Sequence, residues 1–438
     1  MKATAGKAVT FVCHGCGTTV DAAVTLPFHC PNAVLGDGID HLLLPQAEAP
    51  SYVAGAGQNP FLRYRSLLSP YRLARAAGLS DDAWEEIVGR LDEAMIVADG
   101  VGFRITPMQR QPALGTALGL TAALWVKDET GNVSGSHKAR HLMGAMLYLR
   151  VLEAARLSVG EGIAKRRLAI ASCGNAALAA AVIARAGDWP LDVYIPPGAN
   201  ESVVRRLKDL GARVTLCRRV AGQSGDPCFL AFQQAVQAGA IPFGVQGTEN
   251  GLAVEGARTL AFEMAETFFA AGVSPDAVFV QVGGGALASA IAQGFALAAG
   301  FGLIARAPRL LAVQADACAP LARAWMRLRD DQLEDAARHR GRYMWPWETA
   351  SGSVADGILD DETYDWLEVA KAMRSTGGRP IVVDEENLRR ANELGRSATG
   401  IPVSATGSAG LAGLIATLPT VKPSAVIFTG VDRPRSQA

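Results

Sequence analysis

The segment TGNVSGSHKAR, residues 130–140, puts a lysine where a helix begins. An apolar run at 124–127 reads as a strand and the pattern over 136–152 as a helix, so Lys138 falls in the helix's first turn. The positive end of the helix dipole opposes a cation there and lowers the amine's pKa. A neutral amine is what Schiff-base chemistry requires of a lysine. The same residues also describe a solvated lysine on a helix face, the commonest fate of lysines.

Three further loops sit between a strand and a helix. Ser172, Cys173, Gly174 and Asn175 follow an apolar run that starts at 168 and open a helix over 175–186. Small side chains and free backbone N–H groups at a helix N-terminus suit a carboxylate or a phosphate, while Ser172 or Asn175 would serve equally as an ordinary cap. The same dipole would acidify the Cys173 thiol, but no histidine partner is evident in the sequence. Gly283, Gly284, Gly285, Ala286 and Leu287 join a strand at 278–282 to an apolar helix, and three successive glycines let a backbone approach a phosphate closely. Gly283, Gly285 and Ala288 also fit the dinucleotide pattern G-x-G-x-x-A with Asp316 as its acid. That acid lies farther on than the usual spacing of about 20 residues, and the motif is not in the first βαβ unit. The strand at 425–428 ends in Thr429 and Gly430, whose hydroxyl can meet a ring nitrogen without bringing a full charge, or simply cap a turn.

The elements that must position these loops alternate along the chain. Apolar runs at 124–127, 168–172, 192–195, 213–217, 278–282, 310–314 and 425–428 are separated by longer helical patterns. This predicts βαβ units, an α/β fold with parallel sheets, and ligands bound at the C-terminal strand ends. A cysteine-bearing head occupies 1–45, and a Pro/Gly/Ala-rich linker follows over 46–60. With 438 residues, 49% of them hydrophobic, and 42 acidic against 42 basic residues, the chain has material for a large core and no charge bias toward nucleic acid or an anionic membrane. Seven cysteines, an odd number in a long chain, argue against a disulfide scaffold. No apolar leader precedes them, so a cytoplasmic protein is expected. The uncharged stretch 286–305 has the length of a membrane span. Its Ala/Gly composition, Gln293 and the preceding glycine loop make it a buried helix of a globular core instead.

Taken together, in this order and at strand ends, the four loops resemble those of the fold type II pyridoxal phosphate enzymes, the tryptophan synthase β-like family, over roughly residues 59–432. The resemblance implies that Lys138 carries pyridoxal 5'-phosphate as a Schiff base and acts as the base. It implies that Asn175 contacts the cofactor's phenolic oxygen, and that Ser136, Ser172, Cys173, Gly174 and Asn175 receive the substrate. Gly283, Gly284, Gly285, Ala286 and Leu287 would hold the phosphate, and a neutral Thr429 would face the pyridine nitrogen, favouring elimination and replacement over transamination. It further implies two open, twisted parallel-sheet α/β domains of three layers, with the cofactor in the cleft between them. On this reading a lead-in over 46–105 precedes a catalytic region at 106–432, with the smaller subdomain at about 140–245, and the protein is a homodimer.

Within the family, NPFLRYR at 59–65 and Thr106-Pro107-Met108 resemble the threonine synthase branch, whereas SVADGI at 353–358 resembles the dehydratase branch. The lysine is followed by Ala139 and Arg140 where many threonine synthases have Asp-Arg. The implied activity is that of a carbon–oxygen lyase, threonine synthase-like, eliminating or replacing at the β- or γ-carbon of a hydroxy or phospho-hydroxy amino acid. The alternatives are a serine/threonine-type dehydratase giving an α-keto acid and, more distantly, a non-catalytic homologue. The head, with Cys13, Cys16 and Cys30, resembles the ribbon-like head of some threonine synthases, but the second C-x-x-C is reduced to Cys30-Pro31-Asn32-Ala33. A tetrahedral zinc site needs four ligands, and only His29 or His41 remains to supply the last. A metal-free head is therefore the expectation and a zinc site the alternative. His137 and His141, four apart on a helix, have chelating spacing, but the resemblance puts them beside the cofactor.

Overall fold

Strands buried on both faces need helices on both sides, and the two central strands of the largest sheet are of that kind. In the computed structural model, which describes residues 9–34, 36–46, 52–220, 225–328, 333–348, 352–419 and 422–433, β10 (Ala277–Gln281) and β13 (Ser424–Phe428) are buried throughout. The expected linker lies outside the described residues from 47 to 51. Alternate β10 residues serve two cores. Val278 and Val280 pack with the helices Ala253–Ala270 and Ala286–Gly300, while Ala277 and Phe279 pack under the helix Ala405–Ala416.

Among the described residues three sheets result. The head is a small antiparallel sheet of β1 (Thr10–Cys13), β2 (Thr19–Asp21) and β3 (Leu43–Pro45), in the order β2-β1-β3. The large sheet has the order β12-β11-β10-β13-β5-β4, adding β4 (Met108–Arg110), β5 (Leu124–Asp128), β11 (Arg309–Ala315) and β12 (Arg379–Val383). It is parallel except for β4. The smaller sheet, order β8-β7-β6-β9, is wholly parallel and joins β6 (Leu168–Ala171), β7 (Leu191–Ile195), β8 (Arg213–Leu216) and β9 (Ile241–Pro242). The uncharged stretch forms the helix Ala286–Gly300, whose 15 residues rise about 22 Å, short of a hydrocarbon core. Among the described residues no helix is long and apolar enough to cross a membrane.

The lysine loop is fixed from beneath by buried charge. Arg140, fully buried two residues after Lys138, lies between two buried glutamates. Its Nε and one Nη donate to Glu129 at 2.8 and 2.9 Å, and the other Nη donates to Glu263 Oε1 at 2.6 Å. Lys127, also buried, donates to Glu263 and, at 2.7 Å, to the Thr106 carbonyl. Burial opposes the Arg140 charge, but the two carboxylates outweigh it and raise the guanidinium's pKa. Two cations and two anions thus tie the end of β5, the helix Lys138–Ala154 and the helix Ala253–Ala270 together. These two helices cross where Gly144 meets Gly256: a Cβ on Gly256 would overlap the Arg140 carbonyl oxygen. The NPFLRYR segment has an anchoring role. Asn59 caps the short helix Pro60–Arg63, and Arg63 and Tyr64 both bind Glu266, at 3.0 and 2.9 Å.

Replacing Arg140 by methionine leaves two buried glutamates facing one lysine. Arg140→Met should lower unfolding stability by about 3–5 kcal/mol, read as a fall in the urea midpoint with an unchanged denaturant slope.

Candidate active site

The loops predicted to carry chemistry converge on one cleft of about 1170 Å³, lined from both parallel sheets. Lys138 opens the helix Lys138–Ala154 at its rim, half-buried, and its Nζ has no hydrogen-bonding partner among the described residues. Burial is the main cause lowering its pKa, with Asp360 and Asp365 pulling the other way. The sequence offered only the helix dipole as a reason for a neutral amine; the structure adds desolvation.

Ser172, Cys173, Gly174 and Asn175 line the opposite wall, where the loop after β6 enters the helix Asn175–Ala186. The Asn175 amide oxygen accepts from Arg433, which also donates to the Ser134 carbonyl at 2.6 Å, so the chain's C-terminal segment braces both loops. Cys173 is exposed at the cleft, yet the surrounding protein and the charge of Asp356 push its thiol up. That is the wrong direction for a nucleophilic thiolate. Ser136, expected to touch substrate, lies behind the wall instead. It is fully buried, its hydroxyl accepts from the Lys138 N–H at 3.4 Å, and it does not line the cleft.

Thr429 lines the cleft, but its hydroxyl is already engaged, 3.0 Å from the His137 N–H and 2.6 Å from His137 Nδ1. The His137 and His141 rings meet edge to face at 5.5 Å. Burial first and the Lys138 charge second hold His137 well below its usual range and bring His141 to about 3, so both rings are neutral. His141 Nδ1 faces the Ala253 carbonyl at 2.7 Å, so this nitrogen carries the proton. Of the two, His137 lines the cleft, as a neutral ring.

The glycine loop shows why no side chain fits there. A Cβ on Gly283 would strike the Asp360 carboxylate, one on Gly284 would come within 2.9 Å of the Tyr364 ring, and one on Gly285 within 2.9 Å of Thr363. The segment from 359 to 365 covers the loop and takes its carbonyls. Thr363 Oγ1 donates to Gly283 O and the Asp365 N–H to Gly284 O, both at 3.0 Å. The N–H groups of Gly285, Ala286 and Leu287, at the start of the helix Ala286–Gly300, have no protein acceptor among the described residues and border the cleft. Asp316 is exposed and does not line the cleft, so the dinucleotide pattern lacks its acid.

Asp360, Tyr364 and Asp365 were not singled out by the sequence, where they sit in a polar run that reads as a surface loop. Asp360 and Asp365 are pushed up by burial, Asp365 to about 8. Asp365 is fully buried and neither of its carboxyl oxygens is paired with another side chain.

Three comparisons bear on this arrangement. The family model for pyridoxal-phosphate dependent enzymes matches residues 101–430. Among curated proteins, the chain is 26% identical to threonine synthase of Mycobacterium leprae over 71% of this chain and 75% of that one. It is 28% identical to threonine synthase of Methanocaldococcus jannaschii, over 74% and 71%. A serine dehydratase-like protein of Mus musculus is 30% identical over 44% of this chain, and the match spans about half, 52%, of the mouse protein. Among solved structures, a threonine deaminase from T.th. superposes with a TM-score of 0.59 at 22% identity, covering 80% of this chain and 99% of that one. Maize serine racemase gives 0.58 at 19%, covering 79% and 94%. These two show the fold.

The native state holds a proton on Asp365 that the unfolded chain, with a carboxyl near 3.9, releases. A raised carboxyl favours folding at low pH and loses that contribution as pH climbs to the folded-state value. Stability should therefore fall between about pH 4 and pH 8, and Asp365→Asn should flatten that slope, measured as urea midpoint against pH.

Proposed function

The chain belongs to the pyridoxal-phosphate dependent enzymes, and from that premise we propose that it is a carbon–oxygen lyase, threonine synthase-like in chemistry, acting at the β- or γ-carbon of a hydroxy amino acid. The observation that carries this reading is Lys138. Its desolvated amine shares a cleft with a helix N-terminus, and among the described residues neither the amine nor the N–H groups of Gly285, Ala286 and Leu287 have a hydrogen-bonding partner. The residues fit the cofactor. Gly285, Ala286 and Leu287 offer N–H groups of the kind a phosphate takes, and Lys138 offers the amine that would hold its aldehyde carbon.

When bound, the cofactor supplies the sink for the electron pair left at a substrate's α-carbon. The rest is done by this chain. Lys138 Nζ, its pKa lowered by burial, is the group placed to take and return the α-proton. The N-terminal turn of the helix Asn175–Ala186, with Ser172 and Gly174, suits the substrate carboxylate. Thr429 presents a hydroxyl and His137 a neutral ring, so the adjoining wall brings no full positive charge.

The lining chooses between substrates. Among the described residues of the cleft, His137 and Lys138 are the only basic side chains, while Glu201, Asp226, Asp356, Asp360, Asp361 and Glu362 are acidic. A phosphate on the substrate would meet carboxylates and no arginine, which disfavours it by like-charge repulsion. This observation supports the unphosphorylated hydroxy amino acid, and with it the second reading, a serine/threonine-type dehydratase that releases an α-keto acid and ammonia. The SVADGI stretch supports the same reading: Asp356, Gly357 and Ile358 lie on the cleft wall. The proposal extends to a cytoplasmic homodimer with a small-molecule amino-acid substrate and no nucleic-acid or membrane partner. Zero net charge supports the lack of a nucleic-acid or anionic-membrane partner, and the seven unpaired cysteines support the cytoplasmic setting.

The purified protein should be yellow, and borohydride should erase the visible band. Serine, threonine or homoserine should shift the band and release a keto acid or a replacement product, with kcat/KM well above that for O-phosphohomoserine. Lys138→Ala should fold, lose the borohydride-sensitive band and fall in turnover by at least about 10²–10⁴-fold. A colourless protein that stays so with added cofactor, or a Lys138→Ala variant with near-native turnover, overturns the assignment.

A further inference from the structure

We propose that the head holds a zinc ion on Cys13, Cys16, Cys30 and His41. The four candidate ligand atoms lie within 4.8 Å of one another. Cys13 Sγ is 3.4 Å from His41 Nδ1, and Cys16 Sγ is 3.6 Å from Cys30 Sγ. A tetrahedron with zinc–sulfur bonds of about 2.3 Å and a zinc–nitrogen bond of about 2.0–2.1 Å has edges of roughly 3.5–3.8 Å, close to these separations. The metal-free expectation rested on the reduced second C-x-x-C, which left the fourth ligand to His29 or His41, and the fold puts His41 in that place. His29 is turned away toward Glu249, 3.7 Å distant, whereas His41 reaches the sulfurs.

The chain around the cluster orients it. The C-x-x-C turn is closed by the Gly17 N–H on the Cys13 carbonyl at 2.8 Å, with Gly17 at a positive φ of 78°. The His14 N–H donates to the Leu42 carbonyl at 2.9 Å, which brings the segment with His41, just before β3, alongside that turn. The Asp37 carboxylate sits 2.9 Å from His41 Nε2 and is held by the Ile39 and Val34 N–H groups at 2.9 and 3.1 Å. A carboxylate on Nε2–H fixes the tautomer whose Nδ1 lone pair faces the three sulfurs, the arrangement that partners a metal-bound histidine. Three thiolates and one imidazole in a tetrahedron select zinc among common cations. Binding breaks three S–H bonds, forms three metal–sulfur bonds and releases the three protons to solvent. Strands of four, three and three residues offer little core of their own, the situation in which a metal staple contributes most.

The site also reaches the catalytic cleft. Asp40, next to His41, accepts from Arg340 Nε at 3.2 Å, and Arg340 also binds Glu362 in the segment over the glycine loop. His14, inside the C-x-x-C turn, is 2.7 Å from Glu368, on the helix that Asp365 precedes. Zinc in the head would thus act as a positioning element for that segment.

The test is metal analysis of the full chain purified without added metal, together with cofactor titration by absorbance. One zinc per chain is expected. It should be lost in Cys16→Ser and in Cys30→Ser, and kept in His41→Cys, which replaces one ligand by another. Cobalt substitution should give thiolate-to-cobalt bands of a tetrahedral site. Stripping zinc from the native chain with a chelator should lower the melting temperature and weaken cofactor binding several-fold. Iron in place of zinc, or a metal-free wild-type protein with Cys16 and Cys30 joined as a disulfide, overturns the proposal. Either result leaves the visible band of Lys138 untouched, so it separates this proposal from the catalytic one.

Discussion

The site depends on a guanidinium that cannot leave its place. Arg140 is buried on the helix that Lys138 begins, and its donors are divided between Glu129, at the exit of β5, and Glu263, on the neighbouring helix. Charges this far from water are tolerated only when each is paired and hydrogen-bonded. Small displacements of the helix would unpair one of them, so the network sets the helix's position as well as its presence. The Gly144–Gly256 crossing works with it, because the two backbones approach too closely for side chains to shim a different arrangement. A lysine two residues upstream inherits that fixity.

The glycine-loop side of the cleft is ordered by a different device. The glycine loop is held through its carbonyls by Thr363 and Asp365, and by the fit of Asp360 and Tyr364 against atoms where side chains would be. The loop's glycines therefore serve protein–protein packing as much as ligand approach. The segment that covers the loop is in turn tied to the head through Glu362, Arg340 and Asp40. Loop, covering segment and head form one chain of contacts, although they come from three distant parts of the sequence.

Much of this was legible in the sequence where the signal was local. The helix over 175–186 was placed at both ends by Gly174 before it and an unbroken apolar pattern within it, and the structure has Asn175–Ala186. Seven parallel strands, β5 to β8, β10, β11 and β13, were found within a residue or two from their apolar runs, whereas β9, two residues long, was missed because it is too short to show a pattern. The edge strand β12 was missed because it alternates exposed and buried residues and begins Arg379-Pro380, a polar start on a sheet rim. The helix Ala253–Ala270 was missed because it turns Glu255, Arg258 and Glu263 inward, so charge does not mark its solvent face. Asp360 and Asp365 sit in the run LDDETYD, which no local rule buries; their burial comes from contact with Gly283, Gly285 and Gly247, each more than 70 residues away. Ser136 shows the converse. Its position in a motif pointed to substrate, but its hydroxyl turned back to its own helix. The fourth cysteine-cluster ligand was ambiguous between two histidines until β3 paired with β1 and brought His41, two residues before β3, beside the C-x-x-C turn.

Two lysines eleven residues apart show what distinguishes structure from chemistry here. Lys127 is completely buried, and its ammonium is spent on Glu263 and the Thr106 carbonyl. Burial lowers its pKa as it does that of Lys138, but Glu263 and Glu129 favour its charge, and it does not line the cleft. Lys138 is less buried, borders the cleft, and has no bonded acceptor for its amine among the described residues. Asp360 and Asp365 are near enough to influence it but are themselves pushed toward their neutral forms by burial, so they do not pin its charge. Desolvation without compensation is costly for an ammonium and harmless for an amine. The fold thus spends one lysine as a structural cation and keeps the other poised to lose its proton, and only the second arrangement suits carbonyl chemistry.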